Sequence, residues 1–195
     1  PKTVTVTLRG QYQSMNTAFT GMGFGLLAAV VLIYLLIVIN FQSWVDPFII
    51  VSALPAALAG ICWMLFASAT PLSVPALTGA IMCMGVATAN SILVLSFARE
   101  RLEEHGDAIR AAMEAGVSRL RPVLMTALAM IIGMAPMALG LGEGGEQNAP
   151  LGRAVVGGLA FATCASLLFV PTLFAIIHGA RAHRRDASKG VPAHV

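Results

Sequence analysis

A charge or strongly polar group at membrane depth is costly enough to persist only where it has a role, so such groups are the first to look for in an apolar chain. Five long charge-free runs occupy most of these 195 residues, and inside them Asp, Glu, Lys, Arg and His are absent. The polar positions that remain are Thr88, Asn90 and Ser91 in the third run and Thr126 near the start of the fourth, with Arg119 just before it. Such groups can orient a proton carrier or hold water, but without an ionisable partner they do not make a complete proton path. Each also has a structural reading. An interhelical Asn hydrogen bond stabilises a membrane bundle by about 1 kcal/mol. A Thr hydroxyl usually bonds a carbonyl of the preceding turn. Arg119 and Arg121, ahead of Pro122, can lie along apolar surface with their guanidinium groups among lipid headgroups.

Other chemistries find little footing. His105, His178, His183 and His194 have no carboxylate or Cys at ligand spacing, so neither a metal site nor a cofactor is expected. Cys62, Cys83 and Cys164 fall in apolar runs and read as reduced, hydrophobic side chains. The Gly142 to Gly145 segment lacks the Lys-Ser/Thr ending of a phosphate loop, and neither a nucleophile elbow nor paired catalytic carboxylates occur, which argues against an enzyme. The ten Met residues suit core filling better than Cu(I) binding, since Met82 and Met84 would face different sides of one helix. No nucleic-acid partner is expected.

The elements that position these residues follow from composition. The chain is 57% hydrophobic and 11% charged, against about 25% charged in soluble domains, and its mean hydropathy is +0.83. The fold class is an all-α integral membrane protein with five spans, at about 21–39, 48–66, 75–98, 122–141 and 154–177. Lys2 to Arg9 alternates Val4, Val6 and Leu8 with Thr, so residues 1–20 read as a strand and linker that end a preceding domain outside the membrane. Residues 99–121 form a charged loop with a short surface helix, capped by Asp107, ended by Gly116 and laying an Ala-rich face on the bundle. Gly142 to Gly152 reads as a flexible loop, and the chain beyond His178, including residues 179–195, as a basic, disordered tail. Gly85 and Ala89 make a small-residue pair at helical spacing. Pro1 opens the chain without an initiator Met or a signal peptide, as a piece of a longer protein would.

The basic residues orient the bundle. With the loop 99–121 in the cytoplasm, nine Lys and Arg lie on that side and three, Lys2, Arg9 and Arg153, on the other. The carboxy-terminus is then cytoplasmic, and the amino-terminal strand lies outside the cytoplasm, in the periplasm if the cell is Gram-negative.

Several strings in this order resemble the carboxy-terminal half of resistance-nodulation-division permeases, of the hydrophobe/amphiphile (acriflavine-resistance-like) branch. They are Phe41-Gln42-Ser43-Trp44, Thr70 to Pro75 (TPLSVP), Gly85 to Ile92 (GVATANSI), Arg119 to Thr126 (RLRPVLMT), Gln147-Asn148-Ala149, Gly157-Gly158 and Phe169-Val170-Pro171. The resemblance implies helices eight to twelve of a twelve-helix, proton-driven exporter of drugs, detergents or dyes in the bacterial inner membrane. Its implied partners are the missing amino-terminal half, two further copies in a homotrimer, a periplasmic adaptor, an outer-membrane channel, protons and membrane lipid. It assigns the relay Asn to Asn90, the relay Thr to Thr126 and a nearby cytoplasmic Arg to Arg119, whereas the family's Lys position holds Ala89. The two relay Asp belong to the missing half. Either Thr88, Asn90, Ser91 and water stand in for the Lys, or the chain is a permease-like subunit whose coupling depends on a different subunit or has been lost. The alternative function, of a different class, is a non-transporting membrane scaffold or lipid-handling subunit related to these permeases.

Overall fold

The computed structural model describes residues 11–142 and 144–188, with side chains described over 13–142 and 144–180. The strand expected at Lys2 to Arg9 lies outside the described residues. Helix α1 (Gln11–Phe41) is followed by α2 (Val45–Val51), α3 (Leu54–Ala67), α4 (Val74–His105), α5 (Ala108–Ala138) and α6 (Gly145–Cys164). A π-helical turn (Ala165–Phe169) joins α6 to α7 (Val170–Ser188). Among the described residues, five helical stretches are long and apolar enough to cross a membrane. The second is α2 and α3 together. Pro55 has no N–H to offer the preceding turn, and at the joint Ser52 donates its N–H to the Phe48 carbonyl and its hydroxyl to that of Ile49.

The third, fourth and fifth stretches run further than their apolar residues. The short surface helix expected after Asp107 is instead the first part of α5, continuous with the fourth span through Pro122. Asp107 does cap it, accepting from the Ile109 N–H at 3.0 Å, and Gly106 ends α4 at φ +69°, a conformation that Cβ-bearing residues resist. Gly116 does not end the helix. A side chain there would meet Pro171 and the Leu167 carbonyl at 3.8 and 3.9 Å, so the glycine marks where α5 crosses the last membrane stretch. Ala108, Ala111, Ala112 and Ala115 are buried on the bundle side, and that packing outweighs the hydrogen bond lost at Pro122. Likewise α6 begins inside the expected Gly-rich loop, after Gly144 at φ +74°. Helix α7 runs on through the first part of the expected tail to Ser188, and residues 189–195 lie outside the described residues.

Helix α6 sits among α3, α4 and α5. Its crossing with α3 is made of backbone: a Cβ built on Gly60 would stand 2.6 Å from the Gly157 carbonyl oxygen, and one on Gly157 would collide with Met64 and stand 2.7 Å from the Gly60 oxygen. Lipid supplies no hydrophobic drive between helices, so this close approach and its dispersion contacts do the work. Two apolar clusters flank the crossing. One centres on Ile61, Cys83 and Leu159, the other on Ile37, Ile49, Leu95 and Phe174. Helix α1 lies outside, with Phe24, Leu27, Leu32 and Leu36 uncovered, as a helix facing hydrocarbon requires.

Gly157→Val should push α6 off α3 at a cost of about 1–3 kcal/mol, the usual range for overpacking. The check is the thermal midpoint of the detergent-solubilised permease followed by size-exclusion fluorescence. Gly23→Ala on the uncovered side of α1, where nothing lies within 4 Å, is the control expected to leave it unchanged.

Candidate functional site

Helix α4 has two unlike faces at membrane depth. Thr88, Asn90 and Ser91 are buried in the bundle, while Ala89 belongs to an exposed stripe that includes Met82, Gly85, Leu93 and Ser96. The inward hydroxyls are committed. Thr88 Oγ1 donates to the Met84 carbonyl at 2.8 Å, within its own helix, and Ser91 Oγ shares a 2.8 Å hydrogen bond with Ser166 Oγ. Ser166 lies in the π-helical turn, whose extra residue lets the Val170 N–H reach the Ala165 carbonyl just before Pro171 interrupts the ladder. Asn90 is 7% exposed, and its carboxamide makes no hydrogen bond to another described residue. Met82 is exposed and Met84 buried, so their sulfurs diverge.

The other two sequence candidates sit on α5, apart from this cluster. Thr126 faces outward and donates to the Val123 carbonyl at 3.0 Å. Arg119 stacks its guanidinium 4.9 Å from the Phe97 ring centroid, at the same distance as Arg101. Arg101 also pairs with Glu104 at 2.6 Å, and its Nε lies 3.8 Å from Glu114, which accepts from Arg110 at 3.1 Å. This guanidinium and aromatic cluster joins the ends of α4 and α5, a place where cation–π contacts and ion pairs are only partly screened.

Two polar anchors escaped the sequence reading. Asp46, between the first and second predicted spans, is 1% exposed. It accepts from Arg99 Nη1 at 2.9 Å, and the same nitrogen donates to the Phe41 carbonyl at 3.1 Å. His178 Nε2 stands 3.6 Å from the other Asp46 oxygen and stacks on Phe174 at 4.2 Å. The end of α1 and the helices α2, α4 and α7 are thereby tied at one level. At the opposite end Arg153 donates to the Ala138 carbonyl at 2.9 Å and to Thr70 Oγ1 at 2.6 Å. That clamp holds α6, the end of α5 and the turn before α4. The available signal was positional: Asp46 and Arg99 both lie just beyond predicted spans, on the same side of the membrane.

A bundle of this kind, with five crossings, inward hydroxyls on α4 and ion pairs confined to its ends, defines a polytopic membrane protein. The match to known families is specific. Residues 1–178 fit the model of the AcrB/AcrD/AcrF family. The swarming motility protein SwrC of Bacillus subtilis is 35% identical over 91% of this chain and 17% of its own length. The cobalt-zinc-cadmium resistance protein CzcA of Cupriavidus metallidurans is 35% identical over 93% of the chain and 17% of its own length. The multidrug resistance protein MdtC of Photorhabdus laumondii is 34% identical over 94% and 18%. A crystal structure of a heavy metal efflux pump superposes with a TM-score of 0.77 at 30% identity, covering 87% of this chain and 17% of that one. The chain belongs to the AcrB/AcrD/AcrF family of resistance-nodulation-division permeases, and it spans about a sixth of the length of these relatives.

Arg99→Leu should destabilise the bundle by on the order of 3 kcal/mol, because it leaves the buried Asp46 carboxylate without its cation. Asp46→Asn combined with Arg99→Leu should recover part of that loss in the same melting assay. For Ser91→Ala and Ser166→Ala, a double-mutant cycle should return a coupling of about 0.6 kcal/mol, the average for membrane hydrogen bonds.

Proposed function

We propose that this chain is the carboxy-terminal membrane portion of a proton-motive-force-driven inner-membrane permease that exports hydrophobic and amphiphilic compounds. The observation that carries the reading is the pairing, on consecutive residues of α4, of an exposed position, Ala89, and a residue only 7% exposed, Asn90, whose carboxamide makes no hydrogen bond to another described residue. The stripe from Met82 to Ser96 is then the face against which the preceding half of the permease packs, bringing its acidic proton carriers beside Ala89. Asn90 with water orients them, and Thr126, on the uncovered side of α5, adds a hydroxyl. Thr88 and Ser91 play a smaller part, since their hydroxyls already serve the bundle.

Arg119, at the end reached by the charged segment, sits where protons leave. Residues 99–121 and the end of α7 face the cytoplasm under this reading, the subunits assemble as a trimer, and a periplasmic adaptor and an outer-membrane channel complete the route. Amphiphile export is supported by the resemblance carried by residues 85–92 and 119–126 and by the multidrug-resistance relative; the cobalt-zinc-cadmium relative supports metal export as the competing substrate class. Ala89 in place of the family Lys favours a second reading, a scaffold that does not transport.

In a pump-deleted Gram-negative host carrying the intact gene, wild type should lower dye accumulation in a protonophore-sensitive way and raise tolerance to amphiphilic drugs rather than to cobalt, zinc or cadmium. Asn90→Leu and Thr126→Val should remove most of that export. Rescue of an inactive wild type by Ala89→Lys would place the defect at this residue. Failure of both would support the scaffold, and metal tolerance alone would move the substrate class.

A further inference from the structure

A Thr inside a membrane helix ordinarily spends its hydroxyl on a carbonyl of the preceding turn. Thr78, Thr88, Thr126 and Thr172 all do so, at 3.1, 2.8, 3.0 and 2.6 Å. Thr163, near the end of α6, does not. The residue is 6% exposed, and its Oγ1 is buried with no hydrogen-bond partner among the described residues. A bare hydroxyl in a medium of low dielectric is costly, so a group of this kind calls for a use that the fold of this portion does not supply.

Its surroundings show which use. The 2.8 Å bond between Ser91 and Ser166 sets α4 beside the last membrane stretch. Asn90 directly precedes Ser91 and Thr163 lies about one turn before Ser166, so the two stand at one level. Both turn toward α5. Asn90 shares a face of α4 with Phe97, about two turns on, whose ring centroid lies 4.9 Å from the Arg119 guanidinium of α5. Thr163 shares a face of α6 with Gly152, about three turns back, where an added Cβ would stand 2.6 Å from the Ala138 nitrogen of α5. About two turns along α5 from Arg119 comes Ala127, which is 2% exposed and has too small a side chain to fill a junction of three helices. Thr126, beside it in sequence, faces outward. The Asn90 carboxamide and the Thr163 hydroxyl therefore approach the same junction of α4, α5 and α6, and neither is bonded to another described residue.

We propose that Thr163 is a positioning residue for Asn90 in the assembled permease. The Thr163 hydroxyl donates to the Asn90 carboxamide oxygen, and the carboxamide NH2 then donates toward the acidic carriers that the preceding half brings beside Ala89. Docking of the carriers fixes the rotation of the carboxamide and closes the contact with Thr163, so each of the two bare groups satisfies the other. The inference rests on the proton-relay reading and adds to that site a residue from the last membrane stretch.

The test uses the intact permease in the dye-export assay, with thermal midpoints taken on the same variants. Thr163→Val keeps the shape of the side chain and removes the hydroxyl. It should lower the maximal rate of dye export about fivefold, the equivalent of one hydrogen bond. The KM for the dye should not change, and the midpoint should stay level or rise, because the fold loses no partner. Thr163→Ser should keep the wild-type rate. Export by Thr163→Val at the wild-type rate, with Asn90→Leu impaired, overturns the inference and leaves the relay reading standing. A lowered midpoint in Thr163→Val, with Thr163→Ser as slow as Val, overturns it in favour of a side chain that serves packing alone. Wild-type export by Asn90→Leu overturns the relay reading, and this inference with it.

Discussion

Everything in this bundle depends on backbone meeting backbone where α6 crosses α3. In water, two apolar helices are pressed together by the release of solvent; in hydrocarbon that drive is gone, and contact has to be won by dispersion at short range. Gly60 and Gly157 supply it, with the carbonyl of each set against the Cα of the other. Around that contact α6 also reaches α4 and α5. The inward face of α4 and the position of α5 are consequences of how deep α6 is allowed to sit.

Polar groups then fix what the crossing leaves free. At one end Arg153 gathers the turn before α4 and the end of α5; at the other Asp46 and Arg99 gather α1, α2 and α4, with His178 of α7 alongside. Midway, Ser91 and Ser166 join α4 to the π-helical turn. Each of these satisfies groups that would be costly if left bare in a medium of low dielectric. The exposed stripe of α4 is different, because it carries no charge and, apart from Ser96, is apolar on a helix whose other side is buried. A relay residue placed there would act on whatever packs against it, and the inward cluster would hold it in register.

The five crossings were legible because an unbroken apolar run of the required length suits little besides a membrane span. Helix ends were not, since hydropathy marks where lipid is and not where a helix stops. Thus α4 runs on to His105, α5 starts at Ala108, and α7 continues to Ser188 through charged sequence. Gly116 and Pro122 carry local signals for ending a helix, and packing of the Ala face of α5 overrides both. The polar candidates were found by type, but their partners were out of reach. Ser91 and Ser166 are 75 residues apart and Asp46 and Arg99 are 53 apart, and pairings at such separations leave no periodic trace. Thr126 and Arg119 took their roles from family resemblance, and the described half alone holds them apart from Asn90.

A proton relay beside Asn90 requires the exposed face at Ala89 to be an interface with the preceding half of the permease and not a surface for lipid. The direct measurement is thiol accessibility in the intact protein after Cys62, Cys83 and Cys164 are replaced by Ala, comparing Ala89→Cys with Leu32→Cys on the hydrocarbon side of α1, using a lipid-soluble thiol reagent. Protection of the thiol at position 89 together with rapid labelling at position 32 is the predicted result. Labelling of both at the same rate would contradict it, and with it the placement of a proton relay beside Asn90.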